Sequence, residues 1–193
     1  VIATSLGTLA ALGLSRPHMP FKGIIMAILI SPMIVPLIIT AAGMFFFYAR
    51  INLVYTFTGV ILAHVALATP FVVITVTATL VGFDMNMVKA AQSLGARPVK
   101  TFFRVIMPLI LPGIISGALF AFITSFDEVV IVMFMASLDQ LTIPKQMWAG
   151  IRQEISPVIL CMATCLVVLS IFLLTTVELL RRRSERLRGI KPR

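Results

Sequence analysis

The stretch KAAQSLGARPVKTFFRVIMP, residues 89–108, carries four basic side chains in a chain that is otherwise mostly apolar. Asp84 or Asn86 provides a cap for a short helix that leads into it. Gly95 then accepts the left-handed backbone conformation in which helices commonly end. Pro98 suits the first turn of a following helix. The pattern predicts a helix, a sharp turn and a second helix.

The composition of the whole chain places this polar stretch in a membrane protein. Hydrophobic residues make up 60% of the chain, charged residues 12%, and the mean hydropathy is +1.08, whereas a soluble domain carries about 25% charged residues. A helix needs about 20 apolar residues to cross a bilayer. We therefore predict an all-α, polytopic transmembrane helical bundle of about five spans, at residues 1–15, 24–49, 55–83, 109–135 and 157–180.

The distribution of charge predicts how these spans are oriented. The formal net charge is +9, but the interleaved aromatic pattern of a nucleic-acid surface is absent, so we expect no nucleic-acid partner. Thirteen of the 16 basic residues fall in the first loop, in segment 84–108 and in a basic tail at 181–193. Basic loops face the cytoplasm, which puts the C-terminus inside. The N-terminus is then outside, and we expect at least one further helix before residue 1, making six.

Several residues within the apolar segments bear on helix shape and packing. Prolines within a span predict a kink and a possible cavity wall, and threonines can bond back to the preceding turn. Gly113 and Gly117 have the spacing that lets helices approach closely. His64 is expected to pack between helices. These proline and threonine positions are Pro32, Pro36, Pro70, Thr75, Thr77 and Thr79.

Two adjacent carboxylates interrupt the fourth segment. Charged groups within a span usually face a cavity or a partner, so Asp127 and Glu128 are candidates for a cation path. Adjacent helical residues point about 100° apart, so we expect one to line the path and the other to hold a helix contact. Phe122, Phe126 and Trp148 are aromatic candidates for the same path. The alternatives are solvated carboxylates at the outer interface, packing phenylalanines and an interfacial tryptophan anchor.

The role of the stretch at 89–108 has two interpretations on these grounds. Ala90, Ala91 and Gly95 form a patch with almost no side chains, which lets another surface come close. The stretch is then either an interfacial helix resting on lipid head groups or an element inserted into a partner protein.

A family resemblance favours the partner protein. Ala90, Ala91, Gly95, Val105 and Pro108 fall on the motif E-A-A, three residues, Gly, nine residues, I-x-L-P. This resembles the inner-membrane permeases of binding-protein-dependent ABC importers, and the resemblance covers nearly the whole chain. The stretch ITSFDEVVIVMF is most similar to the spermidine/putrescine branch of that family.

The resemblance implies a coupling helix that docks into a cytoplasmic ATPase subunit. Lys89 stands where the motif has glutamate. A compensating ATPase, pairing through the other permease subunit, or reduced activity would each accommodate that change. The positions implied to couple to the ATPase are Lys89, Ala90, Ala91, Leu94, Gly95, Ala96, Val105 and Pro108.

The resemblance also implies the partners. These are a homodimer of ATP-binding subunits that hold ATP and Mg²⁺, a second and different permease subunit, an extracytoplasmic solute-binding protein, and the lipid of a bacterial inner membrane. The chain itself lacks a phosphate loop and any recognisable catalytic motif, so we expect no catalytic residue, metal site or cofactor in it.

Three other functions remain open at this point. An ion-driven secondary transporter would need paired repeats and broken helices. A scaffold or degenerate permease would be compatible with Lys89. Within the importer class, the substrate could be a polyamine, a ferric ion, an opine, an amino-acid derivative or another organic cation.

Overall fold

The computed structural model describes residues 1–16, 19–81, 83–84, 86–153 and 157–187. Within these ranges the chain is helical, with no β-strand, which confirms the all-α class. The helices are α1 (Ile2–Leu14), α2 (Lys22–Ile34), α3 (Leu37–Arg50), α4 (Phe57–Val81), α5 (Asn86–Ser93), α6 (Pro98–Thr101), a π-helical segment (Phe102–Ile106), α7 (Met107–Phe126), α8 (Val130–Met135), α9 (Ile143–Gln153) and α10 (Pro157–Leu187).

Three stretches are long and apolar enough to cross a membrane as single helices. They are Phe57–Val81, Pro98–Phe126 and Pro157–Thr176. The pair α2 and α3 would add a fourth span, but the two helices meet at an angle of 106°. Helix α1 is also apolar and has 13 residues. Among the described residues, three of the five predicted spans therefore contain a single helix of spanning length, one is a bent pair, and the first, α1, is shorter than a span.

The main core lies where α4 packs between α1 and α7. Its buried side chains include Val72, Val76, Ile110 and Ile114. A methyl group added at Gly113 or Gly117 of α7 would collide with hydroxyl groups of α4. The small-residue spacing in α7 thus produces the close helix approach that the sequence predicted.

A second cluster fixes α8 against α3 and α4. Ala41, Ala63, Leu67, Ile131 and Met135 are its buried members. This cluster matters for the site because it holds α8 in place although α8 has only six residues.

Helix α4 continues through Pro70, the position at which the sequence predicted a kink. Thr75 and Thr79 donate their hydroxyls to the carbonyls of Phe71 and Thr75, each at 2.9 Å. The expectation for Thr77 was wrong, because its Oγ1 is buried without a hydrogen-bond partner among the described residues.

The predicted fourth span, 109–135, is not one helix. It begins earlier, since the helix is continuous from Pro98 to Phe126, and it breaks at residues 127–129. The π-helical segment lies just before Pro108. A proline lacks an N–H and crowds the carbonyl four residues earlier, and a wider turn accommodates that carbonyl. The N–H of Met107 accordingly donates to Phe102, five residues back.

The last helix also extends further than the sequence predicted. Helix α10 continues to Leu187, so the first part of the basic tail at 181–193 is helical. Residues 188–193 of that tail lie outside the described ranges.

Candidate substrate cavity and coupling surface

The break between α7 and α8 separates the roles of the two adjacent carboxylates. Asp127 is exposed, and its N–H ends α7 by donating to Ile123 at 3.2 Å. Glu128 is only 6% exposed. Because the two residues lie outside a helix, the spacing of 100° per residue does not apply to them. The prediction that they could not border one cavity was therefore wrong.

Glu128 caps the short helix α8. The backbone N–H groups of Ile131 and Val132 donate to its Oε1 and Oε2, at 2.8 and 3.1 Å. A carboxylate is stabilised by the free N–H groups and positive end of a helix N-terminus. The interpretation of Glu128 as a solvated interfacial carboxylate is excluded by this burial, and its charge is already engaged within the chain.

Asp127 borders a cavity of about 550 Å³, here called the elbow cavity. One wall is the bend between α2 and α3, the opposite wall is the break between α7 and α8, and the floor is α4. Leu67 and Phe71 of that floor lie near the middle of α4, which is long and apolar enough to span the membrane. The lining residues are 32–37, Leu67, Phe71, Thr124 and 127–130.

The bend between α2 and α3 arises from two prolines spaced four residues apart. Pro32 cannot donate to Ile28, and the hydroxyl of Ser31 donates to that carbonyl instead, at 2.8 Å. Pro36 forces the residue before it, Val35, into an extended conformation (φ −71°, ψ 136°). Helix α2 therefore continues past Pro32 and ends at Ile34, just before Pro36. The sequence had predicted a kink and a cavity wall from these prolines, and both line the elbow cavity.

A second cavity, of about 440 Å³, lies on the other side of Asp127. Phe126, Asp127 and Trp148 all line it, together with apolar residues of α10. The guanidinium carbon of Arg152 lies 5.5 Å from the centre of the Trp148 ring. Two of the predicted aromatic candidates therefore share a wall with Asp127.

Phe122 lies elsewhere. It stacks on Phe126 with the ring centres 5.3 Å apart, but it lines a third cavity, of about 510 Å³, with His64 and Ser125. His64 Nδ1 and Ser125 Oγ are hydrogen-bonded at 2.8 Å, so the expectation of an interhelical packing role for His64 agrees with its position. The five predicted path residues are thus distributed over three cavities, each of which borders the last turns of α7.

The sequence missed most of the elbow cavity. Phe71 and Thr124 carried no signal beyond their residue type, because only the crossing of α4 with α7 brings them together. A group of three or more metal-binding side chains is not present among the residues that the structure describes.

The predicted coupling residues form a second exposed surface. Asn86 donates its N–H to Asp84 Oδ1 at 2.9 Å, which opens α5 as a cap. Gly95 has a φ of 79°, the left-handed value that the sequence predicted, and Pro98 is the first residue of α6. Leu94 is 89% exposed. Six of the predicted coupling residues lie together in and just after α5, namely Lys89, Ala90, Ala91, Leu94, Gly95 and Ala96. The other two, Val105 and Pro108, lie further along the chain, in the π-helical segment and in α7.

Comparison of the chain with models of known protein families identifies the class of protein to which it belongs. Residues 3–186 match the model described as binding-protein-dependent transport system inner membrane component. The chain belongs to this family. It is therefore a permease component of a transport system.

Curated relatives of this permease agree with the family. The spermidine/putrescine transport system permease protein PotC of Haemophilus influenzae is 31% identical over 95% of this chain and 72% of its own length. PotC of Escherichia coli strain K12 is 29% identical over 93% of this permease and 68% of its own length. The putrescine transport system permease protein PotI of the same strain is 31% identical over 84% and 60%.

Proposed function

We propose that this permease forms half of the translocation pathway of an ATP-driven polyamine importer. Its relatives are named as spermidine/putrescine permeases. The observation that carries the proposal for this chain is Asp127, an exposed carboxylate at the elbow cavity, whose floor includes Leu67 and Phe71 near the middle of α4. None of the residues lining that cavity is basic, so the cavity suits a cation.

The aromatic residues around Asp127 support the same class of substrate. Ammonium groups are attracted both by carboxylates and by aromatic faces. Phe71 lines the elbow cavity, and Phe126 and Trp148 line the adjoining one. A linear polyamine presents several ammonium groups joined by methylene chains, which match apolar walls that carry one carboxylate.

Coupling to ATP hydrolysis is assigned to the surface around α5. Its exposed Leu94 and the small side chains of Ala90 and Ala91 allow close docking of a cytoplasmic ATP-binding subunit. The chain continues from α6 through the π-helical segment into α7 as one helix. A movement of the docked segment would therefore reach Asp127 at the far end of α7 through a single rigid element. A second permease subunit and an extracytoplasmic binding protein would complete the importer.

The test is uptake by the assembled importer in proteoliposomes. The complex would contain this permease, its co-purifying permease and ATPase subunits, and the binding protein. We expect ATP-dependent uptake of radiolabelled putrescine or spermidine, with Asp127→Asn lowering the uptake rate about tenfold or more, as loss of a desolvated charge pair does. Asp139→Asn is the matched control, because Asp139 is exposed and borders none of the three cavities.

Either of two results would contradict the proposal. One is a wild-type complex whose ATP-dependent uptake is not competed by polyamines. The other is an Asp127→Asn complex with unaltered polyamine uptake, which would remove Asp127 from the path.

A further inference from the structure

The bend between α2 and α3 leaves a run of backbone carbonyls without donors. A helix ends with four carbonyls that have no partner within it. At the end of α2 these belong to residues 32–35, and no described backbone or side-chain group donates to any of them. Pro36 contributes to this directly, because it lacks the N–H that would otherwise reach Pro32.

Such carbonyls are costly inside a membrane unless they line a cavity or bind a ligand. All four residues line the elbow cavity, opposite Asp127. The negative end of the α2 dipole is thus directed at the same space as the carboxylate. Helix α7 also ends at this cavity, and Thr124, in its last turn, borders it.

The remaining helix end at the cavity does not oppose a cation. Helix α8 begins there with its positive end, but Glu128 occupies that end through two hydrogen bonds. The cavity therefore combines two helix C-termini and one free carboxylate with a neutralised N-terminus. Broken helices whose C-terminal carbonyls face a cavity at mid-membrane depth are a common way to bind cations.

We propose that the carbonyls of residues 32–35 and the carboxylate of Asp127 form a two-sided cation site, in which the α2 end binds one ammonium group of the substrate. This inference rests on the proposed function, because it assigns the second binding group of the same cavity. It predicts that the site distinguishes a diammonium from a monoammonium ligand, since a second ammonium group would use the α2 carbonyls.

Two prolines of the chain provide a variant and its control. Pro36→Ala restores an N–H that can donate to the carbonyl of Pro32 and extend α2 through the bend. Pro112→Ala restores an N–H inside α7, and Pro112 borders none of the three cavities. Both variants remove one proline from the helix bundle, but only the first alters the proposed ligands.

The measurement is the ratio of kcat/KM for putrescine over N-acetylputrescine, in the reconstituted importer described above. We expect Pro36→Ala to lower this ratio about three- to tenfold, the size of a favourable helix-end interaction with a charge. Pro112→Ala should leave it within about twofold, since it leaves the α2 carbonyls free. A ratio is used because a loss of assembled protein lowers both rates equally.

A second measurement does not depend on removing Pro36. In a background where Cys161 and Cys165 are replaced by serine, Val35→Cys places a thiol at the proposed site. A thiol reagent carrying an ammonium group should modify this cysteine faster than a neutral reagent of the same size, and putrescine should slow the reaction.

The outcomes separate this inference from the function on which it rests. If the wild-type importer takes up no polyamine, the proposed function fails and the two-sided site fails with it. If it does take up polyamine, but Pro36→Ala keeps the ratio and putrescine does not protect Val35→Cys, only the two-sided site is wrong. Loss of the second permease subunit from Pro36→Ala complexes would identify the bend as a subunit contact and would also overturn it.

Discussion

His64 Nδ1 and Ser125 Oγ lie 2.8 Å apart and join the second turn of α4 to the last turn of α7. Ser125 precedes Asp127 by two residues, so this hydrogen bond fixes the end of the helix on which the candidate substrate carboxylate is carried. The predictions below concern this contact, the packing and capping of the helices around it, and the coupling surface.

The hydrogen bond itself is tested by Ser125→Ala. Interhelical hydrogen bonds in membranes contribute about 0.6 kcal/mol on average and up to about 1.7 kcal/mol. We expect the substitution to lower the free energy of unfolding of the permease in mixed micelles by about that range. The matched control is Ser116→Ala, one further serine of α7, whose hydroxyl makes no hydrogen bond to the described residues. Equal effects of the two substitutions would show that the His64 contact does not stabilise the bundle.

Close packing of α7 on α4 is tested by Gly117→Ala. An added methyl group at Gly117 would meet the Thr75 hydroxyl and the backbone of Val72. Because that backbone is within α4 and cannot yield freely, we expect a loss of about 1–3 kcal/mol in unfolding free energy. Gly43→Ala is the control, since its methyl group would meet no atom within 4 Å. It should be neutral or stabilising, given the higher helix propensity of alanine.

Substitution of Glu128 is expected to reduce stability, whereas substitution of Asp127 is expected to reduce transport. Glu128→Gln keeps one oxygen acceptor for α8 but directs an NH₂ group toward a backbone N–H. We expect a loss of about 1–3 kcal/mol in unfolding free energy, because a buried donor is left unsatisfied. Asp127→Asn should leave stability nearly unchanged while lowering polyamine uptake. Thermal unfolding and uptake, measured on the same two preparations, check this, and a stable Glu128→Gln protein would contradict the capping role.

Gly95 tests the turn of the coupling surface. Its φ of 79° costs an alanine about 1–2 kcal/mol, while nothing lies within 4 Å of an added methyl group. The strain would therefore arise from the backbone alone. We expect Gly95→Ala to lower substrate-stimulated ATP hydrolysis of the assembled importer about fivefold or more. Gly95→Asn should retain more activity, because asparagine tolerates the left-handed conformation better. The reverse order would indicate that the glycine is needed for close docking instead.

Lys89 tests the departure from the family motif. It is exposed on α5, where the motif has glutamate. If the lysine impairs docking, Lys89→Glu should raise transport-coupled ATP hydrolysis about three- to tenfold, the effect of removing a like-charge contact. Lys100→Glu, an equal charge reversal on exposed α6, should not do so. Unchanged hydrolysis in Lys89→Glu would instead indicate an ATPase that compensates for the lysine.

The local features of the coupling segment could be read from the sequence because each depends on one or two residues. A left-handed glycine, a proline at a first helical position and an aspartate cap act within a single turn, and Gly95, Pro98 and Asp84 behaved as expected. The π-helical segment was not predicted, since the pattern of Phe102, Phe103 and Ile106 indicated an ordinary amphipathic helix. Its cause, the proline at 108, was visible but was interpreted as a helix boundary.

The candidate site could be predicted only in part. The two carboxylates of the fourth segment stood out because charge is rare in such composition. Their separate roles were not determined by the sequence, since helical spacing assumed an unbroken helix through residues 127–129. Phe122, placed with the path by proximity in sequence, lines a different cavity from Asp127.

The sequence by itself determined that this protein is a helical membrane protein, and its family resemblance predicted a permease with a coupling segment at residues 89–108. Composition, the distribution of basic residues and turn chemistry act locally or additively, so they do not depend on how the helices pack. Only the tertiary structure decided that Pro36 and Asp127, 91 positions apart in the chain, border one cavity. It also decided that the carboxylate of Glu128 caps α8. Those relationships depend on the bend of α2 against α3 and on the glycine-mediated contact of α7 with α4, which no single segment specifies.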